Sequence, residues 1–524
     1  MGSSSPSAVL KLGWAAASRW LAVPATALLA GVGLRVWYYL LNDSFWRDES
    51  RLLLNVAQKS FIGLLGSLQY GQEAPVPLLW LYRLLYLTGL GGELPLRAFS
   101  LAASILTLWW FYLLLRRALT DTRAVLFAAW LLALAPGVIL FAAMTRPYAG
   151  DMLAATGLLW LAAPVLTNSG GPRRLGGLTL AAGLAPWFSY PGAFVVGGIA
   201  LGCMCRWRTL GLQAVARFLG VAAFSLLLEM FTVLKRVLGS GQAQTTFSGP
   251  WQVVKEPTEW LFHQIFYAYS GPQMISYAFV APLPQGYIPN LWLFGITCLI
   301  LLGLGESWRR EGWAWVAALI GPLALSLVAC HQGWYPPYGR HFLFAVPGLY
   351  LLAGYGAALL FRAFGPSRLV GIILIILLLP CARASIQALG KPVGGVREGL
   401  KFIAARQQPG DLVFFDTYAA PTIYYYCLLG RPYAKGLNYG LPAEAWIEGK
   451  VNRRQLHPEF LMPLAPEDQG VWLLAETLDY ARGPVAGVLP YWRQFGEWLG
   501  KERGRRQVLI TDRVQVQGFS RVQP

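Results

Sequence analysis

The sequence is poor in charged residues. Only 13% of its 524 residues are Asp, Glu, Lys or Arg, whereas soluble domains carry roughly a quarter. Hydrophobic residues make up 56%, and tryptophan alone contributes 22 residues. This balance excludes a disordered chain and a typical cytosolic enzyme, and it indicates a polytopic membrane protein.

Cysteine and histidine are also scarce, at six and four residues. Cys203-x-Cys205 has no second pair, so a zinc site is not indicated, and most cysteines lie in apolar runs as small buried side chains. The histidines fit no metal spacing. We expect no certain cofactor; a divalent cation held by His331 and His341 with Asp48 or Glu49 stays open, although a hydrogen-bonded histidine is commoner.

Motifs for soluble activated substrates are missing. The chain has no Gly-x-x-x-x-Gly-Lys-[Ser/Thr] phosphate loop, and Gly31-Val-Gly33 opens no dinucleotide fingerprint. The net charge is +18. Most basic residues stand in short links between apolar runs, which is typical of cytoplasmic loops and not of a nucleic-acid interface. An activated substrate, if there is one, is expected to be membrane-borne.

Apolar runs long enough to cross a bilayer, about 20 residues each, fill the chain up to residue 385. They are 20–41, 96–115, 124–143, 148–167, 211–234, 288–305, 312–330, 341–361 and 368–382. The longer run 175–205 is predicted to cross twice, turning at Trp187-Phe-Ser-Tyr-Pro-Gly192. With basic links placed in the cytoplasm, this gives about 11 spans, or up to about 13. The N-terminus is then cytoplasmic and the C-terminal tail extracytoplasmic, in a plasma (inner) membrane.

The apolar segment 76–90 is too short to span and carries Arg83. We predict that it lies on or in the outer leaflet as an interfacial or re-entrant helix. It belongs to a long first outer loop, 42–95, and a second long outer loop is 239–287. Charged residues are roughly twice as dense after residue 385 as before it. We therefore divide the chain into a membrane domain, 1–385, and an extracytoplasmic domain, 386–524.

The tail alternates between helical and extended patterns, which predicts a small α/β domain. Helices are predicted over 397–406, 421–429 and 484–499, and strands over 411–416, 470–475 and 507–517.

Polar residues that this topology places on the outer face are the candidates for chemistry. They are Asp48 and Glu49 after the first span, Glu73 before two prolines, Arg146, Tyr148 and Asp151 at a helix start, and Tyr338, Arg340 and His341 before a late span. Each group also has a plainer interpretation: a helix cap, an internal ion pair, or an interfacial aromatic anchor. Adjacent carboxylates lie roughly 100° apart on a helix, so one of Asp48 and Glu49 can serve as a base while the other holds structure.

The order of these motifs resembles the C-type integral membrane glycosyltransferases, in the branch of the protein O-mannosyltransferases and the lipid A aminoarabinose transferase. The residues that carry the resemblance are Asp48-Glu49, Ala74-Pro-Val-Pro-Leu-Leu-Trp80, Leu96-Arg97-Ala-Phe-Ser100, Arg146-Pro-Tyr-Ala-Gly-Asp151 and Arg340-His-Phe-Leu-Phe-Ala-Val-Pro347. It covers residues 20–380. Ser50-Arg51 and Glu73-Ala74 depart from the residues that are common at those places.

The resemblance implies a C-type glycosyltransferase architecture and a polyprenyl-phosphate sugar donor used at the outer leaflet. It also implies that Asp48 is the catalytic carboxylate, with Glu49 beside it and the other candidates binding substrate. The sugar is hexosyl or pentosyl, and the acceptor is a lipid, a glycan or a protein. No nucleic acid is expected as a partner.

Two other functions stay open. A transporter or lipid flippase would place functional charges deep in its spans, where Arg35 and Glu229 are the candidates. An assembly factor would act through its tail.

The topology can be tested with reporters. Fusions after Arg117 or Arg310 should behave as cytoplasmic, and fusions after Pro250 or at the C-terminus as external, because basic links stay in the cytoplasm. An external signal at Arg310 would contradict both the span count and the placement of 76–90.

Overall fold

The computed structural model describes residues 24–167, 174–239, 287–331, 335, 339–365, 367–389, 395–416, 419–440, 469–476, 495–501, 505–510 and 514–520. Tyr338, nearly all of the predicted outer loop 239–287 and most of the predicted helix 484–499 lie outside these ranges. The chain divides into two compact units. We call them the helical unit (1–38, 98–234 and 244–389) and the mixed unit (39–97, 235–243 and 390–524).

The helical unit consists of apolar helices. They are α1 (Pro24–Leu40), α4 (Glu93–Ala118), α5 (Thr122–Ala133), α6 (Pro136–Phe141), α7 (Tyr148–Leu166), α8 (Leu175–Phe188), α9 (Gly192–Cys205), α10 (Trp207–Leu210), α11 (Leu212–Gly239), α12 (Tyr287–Glu311), α13 (Trp313–His331), α14 (Val346–Phe364) and α15 (Arg368–Leu389). The ends of α1, α4 and α11 extend into the mixed unit.

Five helical stretches of the described chain are long and apolar enough to cross a membrane. They are Glu93–Ala118, Tyr148–Leu166, Leu212–Glu229, Trp313–Cys330 and Arg340–Phe364. The last of these begins as a 3₁₀ helix, Gly339–Ala345, and continues as α14. The chain is an integral membrane protein of the predicted helical class. The predicted number of spans stays a prediction.

The long apolar run 175–205 forms two helices, as predicted. Helix α8 ends at Phe188 and α9 begins at Gly192. The turn between them is closed by the Ser189 hydroxyl, which accepts the backbone N–H of Gly192 at 3.1 Å. The proline and glycine of this turn end one helix and allow the next to start.

The apolar run 124–143 is broken, which the sequence analysis did not predict. Helix α5 ends at Ala133 and α6 begins at Pro136. Pro136 has no N–H, so the Leu132 carbonyl loses its usual helical donor. The last carbonyls of α5 therefore need partners from other elements.

Arg35 supplies most of those partners. Its side chain is fully buried. It donates to the carbonyls of Leu132 at 3.0 Å and Ala133 at 3.1 Å, and to the Ser104 hydroxyl at 2.8 Å. Ser385 donates to the remaining carbonyl, that of Leu134, at 2.8 Å. The buried Arg35 side chain thus donates to carbonyl oxygens at the end of α5, where the helix break interrupts the regular hydrogen bonds.

The mixed unit combines short helices with one sheet. Its helices are α2 (Arg47–Gln58), α3 (Val76–Leu87), α16 (Val396–Ala404), α17 (Ala420–Leu428) and α18 (Pro432–Lys435), with a 3₁₀ turn at Gly63–Leu65 and a helical stretch at 495–501. Its strands are β1 (Leu412–Phe415), β2 (Val471–Glu476), β3 (Arg505–Ile510) and β4 (Val514–Phe519).

The sheet has the order β1-β2-β4-β3. The first pair is parallel and the other two are antiparallel. Its core is formed by Phe414, Val471, Leu473, Phe495, Leu499 and Phe519. The predicted small sheet in the C-terminal region is confirmed, and the predicted β segment 507–517 is a hairpin of β3 and β4.

The first loop and the tail belong to one compact unit. Residues 42–95 were predicted to form an outer loop of the membrane domain, whereas residues 39–97 belong to the same compact unit as 390–524. The predicted interfacial segment contains α3, which has 12 residues. Such a helix is about 18 Å long, shorter than the hydrocarbon core of about 30 Å. Its position relative to a bilayer stays a prediction.

The role of Arg35 gives a stability prediction. Arg35→Met should lower the melting temperature of the purified protein strongly, because the hydrogen bonds from Arg35 to buried oxygens are lost at a cost of about 1–3 kcal/mol each. Ser385→Ala, which removes a single bond to the same break, should have the smaller effect. A wild-type melting temperature for Arg35→Met would contradict this role.

Candidate functional site

The predicted site residues divide between the two units. Asp48, Glu49 and Glu73 belong to the mixed unit. Arg146, Tyr148, Asp151, Arg340 and His341 belong to the helical unit. Each group is described by itself.

Glu49 is a buried structural carboxylate. Its side chain is 1% exposed, and it forms an ion pair with Arg97, which is 2% exposed. Arg97 Nε donates to Glu49 Oε1 at 3.1 Å, and Arg97 Nη2 donates to Oε2 at 2.8 Å. The backbone N–H of Trp46 donates to the same Oε2 at 2.9 Å. Both oxygens of Glu49 are therefore engaged in holding the start of α2.

The chain that leads into α2 is held along its whole length. We call residues 42–46 the lead-in segment. Each of its residues has a backbone group hydrogen-bonded to a side chain of the mixed unit. The pairs are Asn42 O with Arg397, Asp43 O with Arg97 (2.6 Å), Ser44 O with Arg97 (3.2 Å), Phe45 N with the Tyr426 hydroxyl (3.3 Å) and Trp46 N with Glu49 (2.9 Å).

Asp48 is the accessible member of the acidic pair. It lies in the first turn of α2, where the helix dipole favours a carboxylate. Its side chain is 24% exposed and lies 3.6 Å from Arg47 Nε. Because Glu49 is buried against Arg97, Asp48 is the solvent-accessible carboxylate of this pair.

Glu73 is exposed and lies in the turn before α3. Tyr70 and Gly71, which precede it, both have positive φ angles, 63° and 64°. The neighbouring Gln72 is buried and donates to the Tyr70 carbonyl at 3.2 Å. The loop that presents Glu73 is thus built around a tight turn.

In the helical unit, Arg146, Tyr148, Arg340 and His341 lie together; we call them the cationic cluster. The Arg146 guanidinium lies 5.7 Å from the centre of the Tyr148 ring, and its Nη2 donates to the Tyr148 hydroxyl at 3.4 Å. The rings of Tyr148 and His341 are 5.8 Å apart. Arg340 Nε donates to His341 Nε2 at 3.4 Å. Two half-buried guanidinium groups therefore flank one aromatic pair.

Hydrogen bonds to the backbone fix the two chain segments that carry the cationic cluster, one at Arg146 and one at His341. Ser100 donates to the carbonyls of Met144 at 2.6 Å and Arg146 at 3.4 Å, which holds the turn before α7. The Tyr335 hydroxyl donates to the His341 carbonyl at 2.6 Å. These bonds orient Arg146 and His341 from the backbone side.

Asp151 is buried one turn into α7. It is hydrogen-bonded to Ser189 and interacts electrostatically with Tyr335. Asp151 is therefore a buried carboxylate of the helical unit.

Sequence reasoning missed the roles of Arg97 and Tyr426. Arg97 stood in a quoted motif, but its partner is 48 residues away and nothing in the pattern pointed to it. Tyr426 stands in a run of three tyrosines in the tail, and this pattern predicts only side chains that pack in the core beside a helix. Ser189 was part of the predicted turn between two helices, and its contact with Asp151 joins distant parts of the sequence.

Within the part of the chain that the structure describes, no three His, Cys, Asp or Glu side chains gather closely enough to hold a metal ion. The Glu49 oxygens are engaged by Arg97 and Trp46. A divalent cation stays an open alternative from the sequence.

The sequence matches no family model and no curated protein. Its fold is similar to crystal structures of ArnT from Cupriavidus metallidurans in the apo state (13% identity, 96% of this chain and 98% of that chain, TM-score 0.47). It is also similar to ArnT bound to undecaprenyl phosphate (14%, 94% and 97%, 0.47).

A third similar structure is the archaeal oligosaccharyltransferase AglB from Archaeoglobus fulgidus, in complex with an inhibitory peptide and a dolichol-phosphate. Its identity is 11%, the match covers 95% of this chain and 74% of that chain, and the TM-score is 0.48. ArnT and AglB both have the C-type glycosyltransferase fold, which is the class that the motifs resemble.

Proposed function

We propose that the protein is a membrane glycosyltransferase that moves a hexosyl or pentosyl group from a polyprenyl-phosphate donor to an acceptor at the outer face of the membrane. The observation that carries this proposal is the different environment of the two carboxylates in the acidic pair. Glu49 is buried in an ion pair with Arg97, and Asp48 is left accessible beside it. A general base needs an accessible carboxylate on a rigid support, and this arrangement provides one.

The cationic cluster supports a lipid-phosphate donor. Arg146 and Arg340 are half-buried and flank an aromatic pair in the helical unit. A guanidinium group presents a planar fork of donors that matches phosphate oxygens. We infer that these two residues bind the phosphate of the donor and that Tyr148 and His341 orient them.

The reaction is a single displacement. The acceptor hydroxyl or amine attacks the anomeric carbon, and the bond from that carbon to the phosphate oxygen breaks. The electron pair of that bond leaves with the polyprenyl phosphate, and Asp48 takes the acceptor proton. The anomeric centre is inverted. Because the leaving group is a phosphate, no general acid is required.

The proposal includes an orientation. The N-terminus is cytoplasmic in a plasma (inner) membrane, and the acidic pair and the domain 386–524 are extracytoplasmic. A transporter or flippase would use charged residues deep in its spans, and Arg35 is one of the two candidates. Its side chain donates to backbone carbonyls at the break between α5 and α6. This role explains Arg35 without transport.

The base can be tested by one substitution. Asp48→Asn preserves shape and removes basicity, so it should lower turnover by about 10²–10⁴-fold while leaving the melting temperature near that of the wild type. Glu49→Gln should lower the melting temperature, because it leaves Arg97 buried without its counter-ion, at a cost of about 3–5 kcal/mol. Both quantities are measured on purified protein with a lipid extract that contains polyprenyl-phosphate sugars.

Asp121→Asn is the matched control. Asp121 is also a carboxylate at a helix start, 23% exposed and paired with a nearby arginine, Arg123. Its loss should leave turnover unchanged. Normal turnover by Asp48→Asn would remove the central support of the proposed function.

A further inference from the structure

The tail supplies two of the side chains that hold the lead-in segment. Arg397 donates to the Asn42 carbonyl, and the Tyr426 hydroxyl accepts the Phe45 N–H at 3.3 Å. In each pair, the tail residue and its partner in the lead-in segment are more than 350 positions apart in the sequence. The other contacts come from Arg97 near the start of α4 and from Glu49 in α2.

One carboxylate joins the two tail residues. Glu93 is buried, and its Oε1 accepts from Arg397 Nη1 at 2.9 Å and from the Tyr426 hydroxyl at 2.7 Å. Burial, and next the negative charge of Glu93, raise the pKa of Tyr426 well above its ordinary value. The hydroxyl therefore keeps its proton at neutral pH, donates to Glu93, and accepts from Phe45.

The tail also packs along α2 itself. The hydroxyls of Ser50 and Thr422 are 2.8 Å apart, and Gln58 Nε2 donates to the Tyr424 hydroxyl at 3.2 Å. The Phe45 ring lies 5.4 Å from the Tyr425 ring at a steep angle. The tail helix α17 thus supports α2 from its first turn to its last.

We propose that Arg397 and Tyr426 are positioning residues for Asp48. They fix the backbone at 42 and 45, and this fixes the first turn of α2, in which Asp48 lies. The inference rests on the proposed role of Asp48 as the base. On this inference, the tail affects the rate of turnover through the position of Asp48, in addition to any role in substrate binding or stability.

Two adjacent tyrosines distinguish positioning from ordinary stability. Tyr425 and Tyr426 are both fully buried in α17. The Tyr425 hydroxyl donates to the Gly91 carbonyl at 2.9 Å and makes no hydrogen bond to the lead-in segment among the described contacts. Substitution by phenylalanine removes one buried hydroxyl in either case. Tyr426→Phe releases the Phe45 N–H and one donor to Glu93, whereas Tyr425→Phe releases the Gly91 carbonyl.

Gly395 offers an independent variant. A Cβ atom at this position would lie 2.7 Å from the Cβ and Oγ atoms of Ser44. Gly395→Ala should therefore shift the lead-in segment without removing any of its hydrogen-bonding side chains. We expect it to reproduce the effect of Tyr426→Phe.

The first readout is local and independent of activity. In the full-length protein, hydrogen exchange of the Phe45 amide, followed in the peptide that covers residues 42–50, should quicken by about five- to tenfold in Tyr426→Phe, because this N–H loses its hydrogen-bond acceptor. The same peptide should exchange at the wild-type rate in Tyr425→Phe. Equal exchange in the two variants would overturn the proposed hold on the segment.

The second readout is a double-mutant cycle on turnover, measured as release of polyprenyl phosphate from a lipid extract containing polyprenyl-phosphate sugars. Tyr426→Phe should lower turnover by about tenfold to hundredfold, the size expected of a misplacement near 1 Å. In the Asp48→Asn background it should have no further effect, because it acts through Asp48.

The outcomes separate the two proposals. If Tyr425→Phe lowers turnover as much as Tyr426→Phe, or if Tyr426→Phe acts equally with and without Asp48, the positioning role is wrong. If Asp48→Asn keeps normal turnover, the proposed function fails, and the exchange measurement still decides whether Tyr426 holds the lead-in segment.

Discussion

The buried ion pair between Glu49 and Arg97 is the interaction on which the mixed unit depends. Arg97 binds three partners at once: the Glu49 carboxylate and the carbonyls of Asp43 and Ser44. Burying two charges costs several kcal/mol, and this is offset only when geometry and further hydrogen bonds are good. Here every polar atom of the pair is directed at the chain around the start of α2, so the pair fixes the accessible Asp48 next to it.

In the helical unit, a buried arginine also donates hydrogen bonds to irregular backbone. Pro136 breaks an apolar run and leaves carbonyl groups without helical donors, and Arg35 reaches them from α1. A guanidinium group carries five donors in a fixed plane, so one side chain can satisfy several oxygens. In both units a buried arginine binds irregular backbone, and in both it stabilises a bend next to longer helices.

The sequence predicted regular elements well and their partners poorly. Hydrophobic runs and basic links located helices such as 148–167, which the structure places at Tyr148–Leu166, and the paired helices within 175–205. The tail strands followed from short apolar runs bounded by turn residues. These signals are local, and they depend on the chemistry of neighbouring residues alone. The break at Pro136 was missed because the run 124–143 was located by hydrophobicity alone, without the local turn signal Pro136-Gly137.

The site was predicted as a set of residues but not as an arrangement. The acidic pair and the Arg146 and Arg340 motifs were identified, and the structure brings Arg146, Tyr148, Arg340 and His341 together. The separation of Asp48 from Glu49 in accessibility could not be predicted, because it depends on Arg97. The hold of the tail on residues 42–46 joins segments more than 350 residues apart, and one sequence carries no signal for such a contact.

The central claim is that the protein consumes a polyprenyl-phosphate sugar. The direct measurement is the pool of lipid-linked sugars in cells that have the gene, in cells from which it has been deleted, and in deleted cells that receive wild-type or Asp48→Asn protein. We expect one polyprenyl-phosphate sugar to accumulate on deletion, to fall again with the wild-type chain and to stay high with Asp48→Asn. An unchanged pool of every lipid-linked sugar on deletion would contradict the claim.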